Sequence, residues 1–158
     1  MIVVADSSPL RYLIVLRQQE LLPILFREIW IPSRILSELS DAATPVVVRD
    51  LIENRPKWLQ VRDPAPETLA YIDDALDDGE RAALALAREL DADLVLMDDA
   101  AGRRAAGLLR LRITGTIGVL RLAAERGLID VPVVVAELRK TGFYMDEALI
   151  RTAFGEWF

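Results

Sequence analysis

Ile2-Val3-Val4-Ala5-Asp6-Ser7-Ser8-Pro9-Leu10 is the stretch that decides the fold. A short apolar, β-favouring run leads straight into an acid, two hydroxyls and a proline. The run reads as a buried strand of a parallel sheet. Ser7 or Ser8 is placed to cap a helix opening at Pro9, where proline's fixed φ and missing N–H cost little. Asp6 therefore lies just past a strand and just before a helix. In open parallel α/β sheets, ligands bind at that edge. The plain alternative is a turn or capping role, but two serines already stand at the capping positions.

The pattern repeats down the chain. Helices are expected over 9–16, 18–27, 33–40 and 45–54, with strands at 29–31 and 58–61 between and after them. Thr44 and Pro45 form a cap and first-turn pair ahead of the fourth helix. Residues 67–76 and the alanine-rich 80–90 read as two more helices, and Asp77 and Asp78 as caps. Leu94-Val95-Leu96-Met97 is a fourth buried strand, ending in Asp98-Asp99. Then come a helix over 101–109, a short strand over 111–114 and a helix over 117–126 with Gly127 as its C-terminal cap. Helices to about 140 and over 146–153 finish the chain. Strands alternating with helices specify a parallel sheet sandwiched between helical layers, an α/β/α three-layer domain. No repeat, low-complexity tract or linker divides it, so 1–158 reads as one domain, with a core over about 2–129 and C-terminal helices over 130–158.

Composition narrows the chemistry. The 158 residues are 53% hydrophobic, above the usual share. Each apolar run is broken by a charge or proline short of membrane-spanning length, and the N-terminus lacks signal-peptide features. The expectation is a cytoplasmic protein with no membrane partner, its surplus apolar surface covered by a second copy or another protein. The chain has no cysteine and no histidine. That removes disulfides, thiolate and imidazole zinc sites, and every histidine-based catalytic arrangement. Any hydrolysis has to use carboxylates, with an oxygen-preferring metal. With 19 basic and 25 acidic residues the net charge is −6, which argues against a general nucleic-acid coat protein but leaves room for a local basic rim.

Asp6 and Asp98-Asp99 follow strands whose C-terminal ends share one edge, so they are expected to converge. Glu80 begins a helix and Glu38 lies within one. Carboxylates brought together from such separate places repel unless a cation sits among them. Each also has a plainer reading: Glu38 as a solvated helix residue, Glu80 as a complement to the helix dipole, one of Asp98 and Asp99 as the cap of the following helix. The residues thus point to an acidic divalent-metal site on an α/β sheet.

Several motifs in register resemble a PIN domain: Val4-Ala5-Asp6-Ser7-Ser8-Pro9-Leu10; Pro32 followed by Ser37-Glu38-Leu39; Leu76-Asp77-Asp78-Gly79-Glu80-Arg81-Ala82-Ala83; and Leu94-Val95-Leu96-Met97-Asp98-Asp99 with Arg103-Arg104 after it. Gly115-Thr116-Ile117-Gly118 and the helix ending near Gly127 are similar to a prokaryotic VapC-like branch. The likeness spans about 2–129. It implies a metal-dependent ribonuclease using Mg²⁺ or Mn²⁺, often the toxin of a type II toxin–antitoxin pair, with a small antitoxin protein and a homodimer as expected partners. Carried over by position, Asp6, Glu38, Glu80 and Asp99 are the catalytic acids. Asp6, Glu80, Asp99 and the neighbouring Asp98 are the metal-ligand candidates. Ser7 and Thr116 are supporting residues, and Arg103, Arg104 and Arg11 are candidates to grip RNA. Where many relatives carry Asp, this chain has Glu80, and the aromatic tail with Phe143, Tyr144, Phe154, Trp157 and Phe158 is not placed by the resemblance.

Two other parallel-sheet readings fit less well. A phosphoacceptor receiver wants a lysine after the last strand, where Thr114-Gly115-Thr116 stands instead. A haloacid-dehalogenase-type phosphatase wants an acid at the position Ser8 occupies. The competing reading that remains is a PIN-fold interaction module with weak catalysis, acting through a protein partner.

Overall fold

A computed structural model describes residues 1–158. Five parallel strands, β1 (Val3–Ala5), β2 (Ile29–Ile31), β3 (Leu59–Val61), β4 (Leu94–Leu96) and β5 (Ile113–Thr114), form one sheet in the order β3-β2-β1-β4-β5. Helices flank it: α1 (Ser7–Val15), α2 (Leu21–Phe26), α3 (Ser33–Leu39), α4 (Val46–Glu53), α5 (Pro66–Ala70), α6 (Asp78–Glu89), α7 (Ala100–Leu108), α8 (Thr116–Glu125), α9 (Val131–Arg139) and α10 (Glu147–Phe154). This is the parallel α/β architecture expected from the alternation of strands and helices, and the PIN-like fold that the resemblance implies.

Side chains alternate across the pleat, and the two sheet faces carry two cores. Val3, Ala5 and Leu96 belong to the larger core, with residues of α1, α3, α4, α8, α9 and α10. Val4, Val95 and Met97 belong to the smaller, with Ala83 to Ala87 of α6 and Ala106 of α7. With both faces covered, β1 must be apolar throughout, and all three of its residues are fully buried.

The strand order sets the position of the site. β1 leads to β2 and β3 on one side, then the chain crosses back to β4 and continues to β5 on the other. The reversal lies between β1 and β4, which pair in the register Ala5 with Leu96. Chain segments leaving two neighbouring strands in opposite directions open a crevice at their C-terminal ends. The residues entering it are Asp6 and Asp98.

Local boundaries shift from those expected. Helix α1 starts at Ser7, so Asp6 itself takes the N-cap position in extended conformation. Helix α5 ends at Ala70 rather than near 76, because the Asp73 carboxylate accepts the Ala75 N–H at 2.9 Å and turns the chain. Helix α2 is confined to Leu21–Phe26, with Pro23 in its first turn. The tail closes on the larger core: Ile150, Ala153 and Phe154 of α10 are buried there. Arg121 of α8 fastens it. Its Nη1 donates to the Ala153 carbonyl at 2.7 Å, and its guanidinium lies 5.7 Å from the Trp157 ring centre. No helix is long and apolar enough to cross a membrane.

Candidate active site

The acids reach the crevice by different routes. Asp6 continues the β1 ladder through its own N–H, which donates to the Leu96 carbonyl at 2.8 Å. Its side chain makes no capping bond to α1 and is only 6% exposed. Asp98 is held from both sides. Ser8 Oγ and Thr116 Oγ1 each donate to Asp98 Oδ2 at 2.7 Å, and the Thr116 N–H donates to Oδ1 at 2.7 Å. Thr116 is fully buried at the start of α8, so Asp98 ties the end of β4 to the first turns of α1 and α8.

Helix α6 brings the next pair. Asp77 caps it, accepting the Glu80 N–H at 2.8 Å, and Glu80 follows with a buried side chain. Glu38 of α3 approaches the same helix end over Gly79. A side chain at Gly79 would collide with the Glu38 carboxylate, so the missing Cβ is what lets it approach. Arg34, one turn earlier on α3, bridges outward to Glu38 and to Asp78, each at 3.7 Å.

These groups charge one another. Burial pushes the Asp6 carboxyl up from 3.8 to about 7, with Asp77, Glu38 and Asp98 adding repulsion and the Ser7 N–H giving partial relief. Burial likewise lifts Glu80 from 4.5 to about 7, with Asp77, Asp99 and Asp6 as repelling neighbours. The crevice therefore holds more negative charge than its own hydrogen bonds satisfy.

Asp98 and Asp99 divide the work. Asp99 caps α7, accepting the Gly102 N–H at 3.0 Å, while acting on Glu80 through space. Asp98 turns to Ser8 and Thr116. Ser8, rather than Ser7, supplies the hydroxyl, because the residue one step further round the first turn of α1 faces β4. Arg103 lies beside Asp98 across Gly115. Arg104 turns instead toward an apolar groove with Tyr71 and Leu108. Arg11 is exposed on α1, and no ion pair joins it to the acids. Sequence reasoning passed over three participants. Asp77 was read only as a cap. Arg34 was signalled only by its spacing of four from Glu38, and Ser7 was named as the supporting hydroxyl where Ser8 is the one that bonds Asp98.

The crevice at the switch point, lined by carboxylates, sits at the ligand-binding edge of an open parallel α/β domain. The chain belongs to the PIN-domain family: the family model described as DUF3368, PIN domain, matches residues 2–157. That match takes in the tail through Trp157. No curated protein matches the chain. PIN domains are typically nucleases and generally use divalent metal ions.

The residues fit such an ion in kind. All the donors are oxygens, as hard divalent cations require, and Asp6 and Glu80 are desolvated acids that a cation would relieve. As they stand, no three acids are gathered closely enough to hold one together. Glu38, on a flexible side chain still one-third exposed, has freedom to move inward.

Proposed function

We propose that this chain is a divalent-metal-dependent endoribonuclease, the toxin of a type II pair restrained by a small antitoxin protein and acting as a homodimer. The observation that carries the catalytic part is the buried Asp6 carboxyl at the switch point, raised to about 7 and surrounded by other acids. Uncompensated negative charge at a ligand-binding edge suits a cation-dependent hydrolase.

Asp6, Glu80 and Asp99, with Asp98 as the alternative ligand, would hold Mg²⁺ or Mn²⁺. The ion would neutralise phosphodiester oxygens and lower the pKa of a bound water. Ser8 and Thr116 keep Asp98 in one orientation. Glu38 closes the cluster from α3 and orients the attacking water. Arg103, beside Asp98, supplies positive charge for the RNA backbone. In-line attack on phosphorus leaves a 5′-phosphate and a 3′-hydroxyl.

The test is cleavage of a mixed RNA pool by the wild type and Asp6→Ala, each with Mn²⁺, Mg²⁺ or excess EDTA. Cleavage confined to wild type plus metal supports the reading. Wild-type cleavage that persists in EDTA, or equal rates in the variant, refutes it. A second reading, a weakly catalytic interaction module, draws on the exposed groove of about 510 Å³ beside Tyr71 and Leu108. Mn²⁺ binding by calorimetry without any cleavage would favour it.

A further inference from the structure

The C-terminal tail builds one wall of a second cleft, which shares Asp98 with the crevice. After α9, the Thr141 hydroxyl donates to the Leu138 carbonyl at 2.6 Å and accepts the Phe143 N–H at 3.3 Å, turning the chain. Phe143 then packs edge-on against Tyr12 of α1, with ring centres 4.8 Å apart and planes at 83°. With Phe143 pinned inward, the neighbouring Tyr144 points out and is 85% exposed. Tyr144 and Leu149 line a cavity of about 360 Å³ together with Asp98, Arg103 and Gly115.

A lone exposed tyrosine needs no explanation. This one shares a cleft with a cation. Arg103 forms no ion pair in the chain, although it lies beside Asp98. A Cβ on Gly115 would stand 2.5 Å from Asp98 Oδ1 and 3.2 Å from Arg103 Nη1, so the glycine opens the floor between them. The cleft thus offers an aromatic face and an unpaired guanidinium next to a candidate catalytic acid.

We infer that this cleft is a base-stacking subsite for single-stranded RNA: a nucleobase near the scissile phosphate lies against Tyr144, and Arg103 takes an adjoining phosphate. The inference rests on the nuclease reading and names the form of RNA that site accepts. Aromatic stacking beside a cation is how sequence-tolerant single-strand sites gain affinity. With a net charge of −6, this chain gains little from general attraction to phosphate, so local stacking carries more of the binding. The volume is at the small end for ligand sites, roughly 300–1,000 Å³, suited to one nucleotide. In a duplex the base faces are already stacked and unavailable to Tyr144.

The test uses the full chain carrying Asp6→Asn, so that the probe stays intact in Mg²⁺. Fluorescence anisotropy follows a labelled mixed-sequence ribo-oligonucleotide, alone and annealed to its complement. Tyr144→Ala is expected to weaken single-strand binding about tenfold, equivalent to about 1.4 kcal/mol. Tyr144→Phe keeps the ring and should hold affinity, Arg103→Ala should lose it, and the duplex should bind weakly and respond to neither tyrosine change. Since the Tyr144 ring is exposed, thermal midpoints should not move. Single-strand affinity unchanged in Tyr144→Ala, equal losses in the Ala and Phe variants, or equal losses on the duplex would overturn the inference.

Cleavage assays separate it from the reading beneath it. Loss of cleavage with Asp6→Asn alongside a wild-type KM for Tyr144→Ala sinks the subsite alone. A wild type that never cuts RNA, while Tyr144→Ala still weakens binding tenfold, sinks the nuclease and leaves an RNA-binding cleft. If capture of a peptide partner, and not RNA, depends on Tyr144, the subsite is refuted.

Discussion

Replacing Asp6 by asparagine should stabilise the metal-free protein at alkaline pH, although it removes the acid on which the proposed chemistry centres. The unfolded chain protonates Asp6 near 3.8, and the folded chain near 7. Between those values the folded state holds the extra proton, so stability falls as pH rises. The favourable contribution is complete below about pH 4 and is lost as pH passes through about 7. At ~1.4 kcal/mol for each tenfold change in proton affinity, the ionised carboxylate costs the fold at most about 4 kcal/mol at pH 8. Local relaxation and water penetration reduce that, and about 2 kcal/mol is a reasonable realised value.

Asparagine matches the protonated acid in shape, is an equally good N-cap residue, and cannot ionise. In EDTA at about pH 8, Asp6→Asn should therefore melt roughly 4–8 °C above wild type, since 1 kcal/mol moves a domain of this size by roughly 2–4 °C. At about pH 4 the gap should shrink to a fraction of a kcal/mol, because wild-type Asp6 is then protonated in the folded state and only partly ionised in the unfolded one. Saturating Mn²⁺ should reverse the alkaline order, by stabilising the wild type through binding. Circular-dichroism melts at the two pH values suffice. A Tm difference that is the same at both, or an alkaline variant less stable than wild type, would refute the account of Asp6 as a desolvated, uncompensated charge.

Thr116→Val removes the buried hydroxyl that donates to Asp98. It should cost about 1–3 kcal/mol in chemical denaturation and weaken Mn²⁺ binding in a calorimetric titration. Gly79→Ala drives a methyl group into the space of the Glu38 carboxylate. Cleavage should fall several-fold while Tm holds or rises slightly, since alanine restricts the unfolded chain by about 0.4–1 kcal/mol; unchanged cleavage would show that Glu38 has no part in the site. Arg121→Ala releases the contacts to Ala153 and Trp157. It should destabilise by about 1–3 kcal/mol and expose the segment after α9 to limited proteolysis.

The sheet was legible in the sequence because its three central strands are largely buried on both faces. Residues 29–31 and 94–96 are unbroken apolar runs between helical patterns, and such runs have few other uses. Boundaries set by side-chain bonds were not. The end of α5 depends on an Asp73 turn, and the start of α1 on Asp6 continuing a ladder with β4, a contact between residues far apart in the chain. The same reason limited the reading of the site. That Asp6 and Asp98 converge follows from the switch point, and local order suffices for it. Which of Asp98 and Asp99 turns inward depends on Thr116, 18 residues further on. The tail was opaque for a related reason: Phe143 and Tyr144 are equivalent in sequence, and only the Tyr12 ring distinguishes the one that packs from the one left exposed.

Hydrogen bonding separates the aspartates of the crevice into those serving the fold and one that does not. Asp77 and Asp99 each commit an oxygen to the first turn of a helix, bonding the Glu80 and Gly102 N–H groups. Asp98 accepts three bonds from Ser8 and Thr116. Asp6 stands at an N-cap position and makes no capping bond, yet it is almost fully buried. A serine or asparagine there would cap α1 without the charge. Retaining a carboxylate that destabilises the metal-free fold makes physical sense only if something bound at the strand ends offsets its charge. By that argument Asp6, more than the better-bonded acids around it, belongs at the centre of the site, and its substitution should separate stability from activity most sharply.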